Sequence, residues 1–205
     1  TGYEGVVRDA LVEVMQKGKE LWAKTFPVPL RRDLISDYFA LDFPLEEALR
    51  ELAEDEHLAS AMARNPGIRL LRQEPWECMA SFMLATNKGI PHIEKSIAAL
   101  CEKLGRKMRA GQRVFSLFPT PETVACTSEE VLRTAKIGYR ARFLRAAAEK
   151  LAGQKIDLVR YRKTTYAQAK EALMGFDGIG PKVADCICLF SLDHREAFPV
   201  DVWIQ

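Results

Sequence analysis

The residues best suited to chemistry lie between positions 174 and 201. The run M-G-F-D-G-I-G-P-K-V-A-D-C-I-C-L-F (174–190) places Gly175, Gly178 and Gly180 between two helical patterns, with Pro181 opening the second. Glycines at this spacing permit positive φ and close backbone approach. Free N–H groups of the turn and of the next helix then converge on one point, where an anion such as a phosphate is favoured. Lys182 sits in that first turn, where the positive end of the helix dipole opposes a cation and eases loss of its proton. An amine that gives up its proton readily is a nucleophile able to form a Schiff base. Asp201 follows nineteen residues later, after an extended A-F-P-V, and can set a carboxylate opposite the lysine. Plainer uses stand beside these. Lys182 can be an ordinary surface lysine at a helix start, and Asp201 the N-cap of a helix beginning at Val202. For Asp201 both uses can hold at once.

These residues need a scaffold, and the patterning supplies a mainly helical one. Pro44 with Glu46 and Glu47 opens a helix, as does Pro75 before the stripe Trp76, Met79, Ala80, Met83, Leu84. The stripe reads as core. A second stripe, Ile90, Ile93, Ile97, Cys101 and Leu104, ends at Gly105, a C′ glycine. Thr127 with Glu130 reads as a capping box. Tyr139–Leu151 is amphipathic and stops at Gly153; Tyr166–Met174 is short; Pro181–Leu192 is apolar nearly all round and hence buried. Before this, residues 11–26 read as a β-hairpin through alternation about Lys17-Gly18-Lys19. The expected organisation is therefore the end of a β domain over residues 1–32 and a helical domain over 33–205, α+β overall, helical from about residue 33 onwards.

Composition narrows the classes further. Of 205 residues, 48% are hydrophobic and 28% charged, enough apolar content for a real core and too much for a disordered chain. No apolar run approaches the roughly 18 residues of a membrane span. Five cysteines without C-x-x-C or paired spacing argue against a disulfide framework, and the three histidines share no ligand pattern with them, so no metal is expected. A reducing, intracellular setting follows. The net charge is only +2, but it is uneven. Between Val131 and Lys163 there are ten bases and two acids, a local +8. That run is either a solvated helix face or a phosphate-facing surface. The chain opens on Thr1 and closes on Gln205 just after a helix-start signal, so both ends are expected to be cut.

Together these residues resemble a known family. G-I-G-P-K-V-A-D-C-I-C-L followed by F-P-V-D-V is similar to the helix-hairpin-helix (HhH-GPD) DNA glycosylases, and to their 8-oxoguanine DNA glycosylase branch in particular. R-L-L-R-Q-E-P-W-E-C (69–78), S-F-M-L-A-T-N (81–87) and G-Y-R-A-R-F (138–143) follow in family order, so the likeness covers nearly the whole chain. It implies a helical glycosylase fold with a remnant of an N-terminal antiparallel β domain, truncated at its C-terminal end. It implies a monomeric base-excision-repair enzyme that flips 8-oxoguanine out of duplex DNA, removes it through a lysine Schiff base, and nicks by β-elimination. No metal or redox cofactor is called for. By resemblance Lys182 is the nucleophile and Asp201 the essential carboxylate; Gly178 and Gly180 hold a DNA phosphate. Asn87 fills the hole left by the flipped base, Tyr139 is the wedge, and Arg140 the donor to the orphaned base. Cys186, one turn after Lys182, packs against the lesion base in the family, though as a residue it equally suits a buried core.

Departures from the family pattern carry expectations of their own. His92 stands where the animal enzymes have a second arginine on the opposite cytosine, and Trp203 where they have a histidine two residues after the aspartate. Looser discrimination of the opposite base is implied. The pocket's N-terminal glycine-bearing part is expected before Thr1, and the aromatic that stacks on the flipped base after Gln205. Two other readings share the hairpin. One is the endonuclease III-like branch, which acts on oxidised pyrimidines and carries cluster-ligating cysteines after its aspartate. The other is a non-catalytic DNA-holding module, which needs neither Lys182 nor Asp201.

Overall fold

The computed structural model describes residues 2–18, 20–27, 29 and 31–201. Strands β1 (Gly2–Val7), β2 (Ala10–Lys17) and β3 (Glu20–Phe26) form an antiparallel sheet in the order β1-β2-β3. Helices α1 (Arg32–Tyr38), α2 (Leu45–Leu52) and α3 (Glu56–Arg64) come next, then α4 (Pro75–Ala85) and α5 (Ile90–Leu104). A second hairpin, β4 (Lys107–Ala110) and β5 (Arg113–Ser116), leads to α6 (Pro121–Ala125) and α7 (Glu129–Leu132). The last elements among the described residues are α8 (Arg140–Gln154), a 3₁₀ turn at Leu158–Lys163, α9 (Tyr166–Met174) and α10 (Pro181–Ser191).

The chain divides into two compact units. One comprises Thr1–Pro29 with Gln73–Gln205, the other Leu30–Arg72. In the smaller, the basic residues of R-L-L-R hold the helical ends. Arg69 donates to the carbonyls of Ala40 and Phe43 at 2.7 and 3.1 Å, and Arg72 forks onto Asp42 at 2.6 and 3.1 Å. A guanidinium fork suits both jobs because its donors are fixed in one plane. The larger unit has its core where α4, α8 and α10 meet. Met79, Ala80, Leu84, Leu144, Ala148 and Ile187 are fully buried there, and Trp76 and Met83 nearly so. Trp76 also donates its indole N–H to Pro119 O at 2.8 Å, which satisfies the one polar atom it buries.

Several local expectations are corrected. The N-terminal sheet has a third strand, β1, paired with β2 from Gly2↔Met15 to Val7↔Ala10. Residues beyond 33 are not all helical, because K-M-R-A-G-Q-R-V-F-S folds as β4–β5 about Gly111, whose φ is +61°. Met108 and Leu117 pack with Leu11 of β2, so the second hairpin gives the sheet's apolar side a cover. Thr127 does not cap α7. Its hydroxyl is spent on Thr123 O at 2.7 Å, and Ser128 accepts from Val131 N instead. Helix α8 runs past Gly153 to Gln154, where Lys155 takes the left-handed conformation that ends it. Gly105 closes α5 in extended conformation, and its lack of a side chain admits the carbonyl of Leu117.

Candidate active site

Helices α9 and α10 and the turn between them build the site from below. Thr165 and Gln168 form a capping box at the start of α9. Phe176 and Ile179 of the turn are buried, so the hairpin is anchored by two apolar side chains while Gly175, Gly178 and Gly180 stay at the surface. Lys150 of α8 donates to Gly175 O at 2.7 Å, with its ammonium 4.5 Å from the Phe176 ring centroid. Gly178 has φ +85°, and a Cβ there would lie 2.8 Å from Phe143 Cγ. Gly180 is extended, and a Cβ there would meet nothing within 4 Å. Gly178→Ala is therefore expected to destabilise the fold by roughly 2–4 kcal/mol, from left-handed strain plus displacement of Phe143. Urea unfolding measures this, and a loss below about 1 kcal/mol would mean the turn can relax.

Lys182 lies at the second residue of α10 and pairs with Asp201, its Nζ donating to Oδ2. Lys182 is half exposed and Asp201 about one-third, so the pair is reached from solvent. The return of the chain to this point is pinned by His194, which is buried. Its Nε2–H donates to Tyr161 O at 2.9 Å, and its backbone N–H donates to Cys188 O at 3.1 Å. Arg162 adds a bond to Ser191 O at 2.8 Å. Beneath the lysine, Asp185 is buried and accepts from both Tyr166 and Lys170, the latter at 3.0 Å. That triad locks α10 to α9, and the carboxylate holds the Lys170 ammonium above its ordinary value. Cys186 is buried beside Lys182 and Asp201; burial pushes its thiol up to about 11, against the opposing pull of Lys182, so the thiol stays protonated at neutral pH. Cys188 is fully buried.

The remaining candidates gather at two other turns. Asn87 is exposed in the α4–α5 turn with φ +53°, and His92 is exposed in the first turn of α5. Lys136 (φ +62°) and Gly138 (φ +60°) form the turn that presents Tyr139 at the head of α8, 48% exposed. Arg140 follows but is only 7% exposed. Its Nη2 donates to the carbonyl of Thr86, next to Asn87, and its guanidinium carbon lies 4.6 Å from the Tyr139 ring centroid. Asn87, Tyr139 and Arg140 are thus brought together, as are Lys182, Asp201 and Cys186. The helix expected after Asp201, and Trp203 within it, lie outside the described residues.

The +8 run is only partly a surface. Arg140, Lys150 and Arg162 are spent on backbone carbonyls, and Arg133 and Arg145 pair with Glu129 and Glu149. Sequence reasoning does not single out Phe143, Lys88 or Lys170. For Phe143 there is a signal, since Tyr139 and Phe143 are i, i+4 on one helix face, and their rings meet edge to face at 6.4 Å.

Residues 1–79 match the model of the 8-oxoguanine DNA glycosylase N-terminal domain. Residues 80–205, which carry every side chain of this site, match that of the HhH-GPD superfamily of base excision DNA repair proteins. The chain belongs to the HhH-GPD superfamily, in its 8-oxoguanine glycosylase branch. Similar members include the N-glycosylase/DNA lyase of Saccharomyces cerevisiae, 35% identical over 82% of this chain and 48% of its own length. A probable N-glycosylase/DNA lyase of Methanothermobacter thermautotrophicus is 30% identical over 98% of this chain and 74% of its own. This HhH-GPD chain therefore spans about half the length of the yeast relative. The 8-oxoguanine glycosylase/lyase of Clostridium acetobutylicum, solved with double-stranded DNA containing cytosine opposite 8-oxoguanine, superposes with a TM-score of 0.90. It is 31% identical, and the match covers 98% of this chain and 70% of that one.

Proposed function

We propose that this chain carries the catalytic centre of a bifunctional 8-oxoguanine DNA glycosylase and abasic-site lyase. The observation that carries the reading is the Lys182–Asp201 pair at the mouth of the glycine hairpin. A base inside the stack cannot be reached, so the nucleotide is flipped out, with Tyr139 wedging the stack and Asn87 filling the vacated space. Gly178 and Gly180 hold a backbone phosphate on the N–H groups of the hairpin. As the N-glycosidic bond breaks, the electron pair leaves with the base and positive charge builds on the sugar; Asp201 stabilises it, by analogy with glycoside hydrolases. Lys182 passes its proton to the departing base, which leaves neutral, and the freed amine attacks C1′. Ring opening then gives a Schiff base, and loss of a proton from C2′ expels the 3′ phosphate. Cys186 lies against the departing base as a neutral thiol. DNA as substrate implies an intracellular working place.

The test is borohydride trapping on a duplex with a single 8-oxoguanine. A covalent protein–DNA adduct and a nick at the lesion are expected; binding without either would reduce the chain to a DNA-holding module. Gly180→Ala probes the phosphate seat separately. Its Cβ meets open space, so stability should hold or rise by up to about 1 kcal/mol, while DNA affinity falls because the methyl group occupies the phosphate's approach. Unchanged affinity would move the phosphate elsewhere.

His92 and Arg140 bear on the opposite base. A mismatched partner leaves reader donors unpaired, at about 1–3 kcal/mol each. Here one position is a histidine, and Arg140 has already committed Nη2 to Thr86 O. Excision opposite the four bases, measured in single turnovers at fixed salt, should differ by less than about tenfold, given a single guanidinium to read the opposite base. A preference for cytosine of a hundredfold or more would mean that another residue supplies the contact.

A further inference from the structure

Two turns carry the residues assigned above to entering the duplex, Asn87 in one and Tyr139 in the other. Nothing in the resemblance assigns a role to the lysine between Asn87 and α5. In the structure Lys88 leaves the Asn87 turn and reaches across to the other. Its Nζ donates to Lys136 O at 2.8 Å and to Ser96 Oγ at 3.1 Å, and the Ser96 hydroxyl itself donates to Lys136 O at 3.3 Å. Ser96 is buried in α5, so the junction has a fixed floor. The carbonyl that receives both donors belongs to a non-glycine residue at φ +62°, a conformation disfavoured for an L side chain unless its surroundings hold it. Asn87 is itself at φ +53°. On the far side Arg140 closes the loop by donating to Thr86 O. Burial and the Arg140 guanidinium hold the Lys88 amine below its ordinary value, which fits a cation drawn in from water to meet carbonyl and hydroxyl oxygens.

We infer that Lys88 is a positioning residue: with Ser96 it clamps the Asn87 turn to the Tyr139 turn, so that plug and wedge enter the base stack as one rigid unit. The inference rests on the functional reading above, because only that reading sends both turns into DNA. It adds that opening the stack depends on a residue that touches neither the lesion nor the reacting sugar. Rigid spacing matters because both side chains must occupy the gap at once, and a loose turn would spend binding energy on ordering itself.

Lys88→Met keeps the length of the side chain and removes its donors. Single-turnover excision from an 8-oxoguanine·cytosine duplex should slow by tenfold or more. A duplex with a ready-made abasic site has no base to extrude, and borohydride trapping on it should stay within threefold of wild type. A 2-aminopurine beside the lesion should show correspondingly slower unstacking, and Lys88→Arg, which can still reach both oxygens, should recover at least half the lost rate. Equal losses on both duplexes would overturn the inference in favour of general damage to the fold, as would a Lys88→Met enzyme that unstacks and excises like wild type. A wild-type chain that binds but never excises would instead count against the functional reading itself.

Discussion

Lys182→Gln is expected to abolish the borohydride-trapped adduct altogether while leaving affinity for lesion DNA within about fivefold of wild type, since the phosphate seat proposed above uses the backbone N–H groups of the hairpin and not this side chain. The amide nitrogen of glutamine has its lone pair delocalised into the carbonyl and forms no Schiff base, yet it fills similar space and can still donate to Asp201. The pair being half exposed, its loss should cost the fold no more than about 1 kcal/mol. Other nucleophiles around the hairpin are poorly placed to substitute. Lys170 is held by Asp185 and Tyr166, and Lys150 by Gly175 O. The Cys186 thiol, pushed up to about 11, is almost wholly protonated at neutral pH. A trapped adduct at wild-type level would move the nucleophile to another amine of the chain, and peptide mapping of the adduct would locate it.

The contrast between Lys182 and Lys88 shows what a sequence displays and what it conceals. Lys182 is legible because its surroundings are local: glycines that need unusual backbone freedom, a proline that opens a helix, and a dipole acting on the residue that follows. Helices α4 and α10 are legible for the same reason, each beginning at the proline that opens it, Pro75 and Pro181. Lys88 gives no such sign. Its partners are eight and forty-eight residues away, and a lysine before a glycine reads as surface. Arg140 is a subtler case. Its neighbour Tyr139 and the basic run both place it at a surface, but the Thr86 carbonyl draws the guanidinium inward. The β4–β5 hairpin is hidden because four-residue strands rich in lysine and arginine carry too little alternation to outweigh the helical patterns on either side. The basic run of residues 131–163 is ambiguous in one dimension for a related reason: which of its members face water depends on carbonyls contributed by distant turns.

Asp201→Asn separates the roles that a carboxylate beside Lys182 can play. Asparagine caps a helix as well as aspartate does and can accept a hydrogen bond from Lys182, so stability should fall by less than about 1 kcal/mol. What disappears is the charge. If that charge serves the cleavage of the N-glycosidic bond, single-turnover excision of 8-oxoguanine should slow by about 10²–10³-fold, the scale on which removal of one preorganised electrostatic partner acts. The two steps can then be told apart with a ready-made abasic site, where the base is already gone and only the amine chemistry remains. Trapping there should be retained within about tenfold if Asp201 acts chiefly on the developing sugar cation, because that cation is not formed again. Should trapping fall as steeply as excision, the carboxylate is acting on Lys182 instead, holding or removing its proton before attack, as their direct contact allows. An Asp201→Asn enzyme that excises at the wild-type rate would strip the residue of any part in the chemistry. The ion pair would then be no more than the means by which the segment after α10 is fastened to the first turn of that helix.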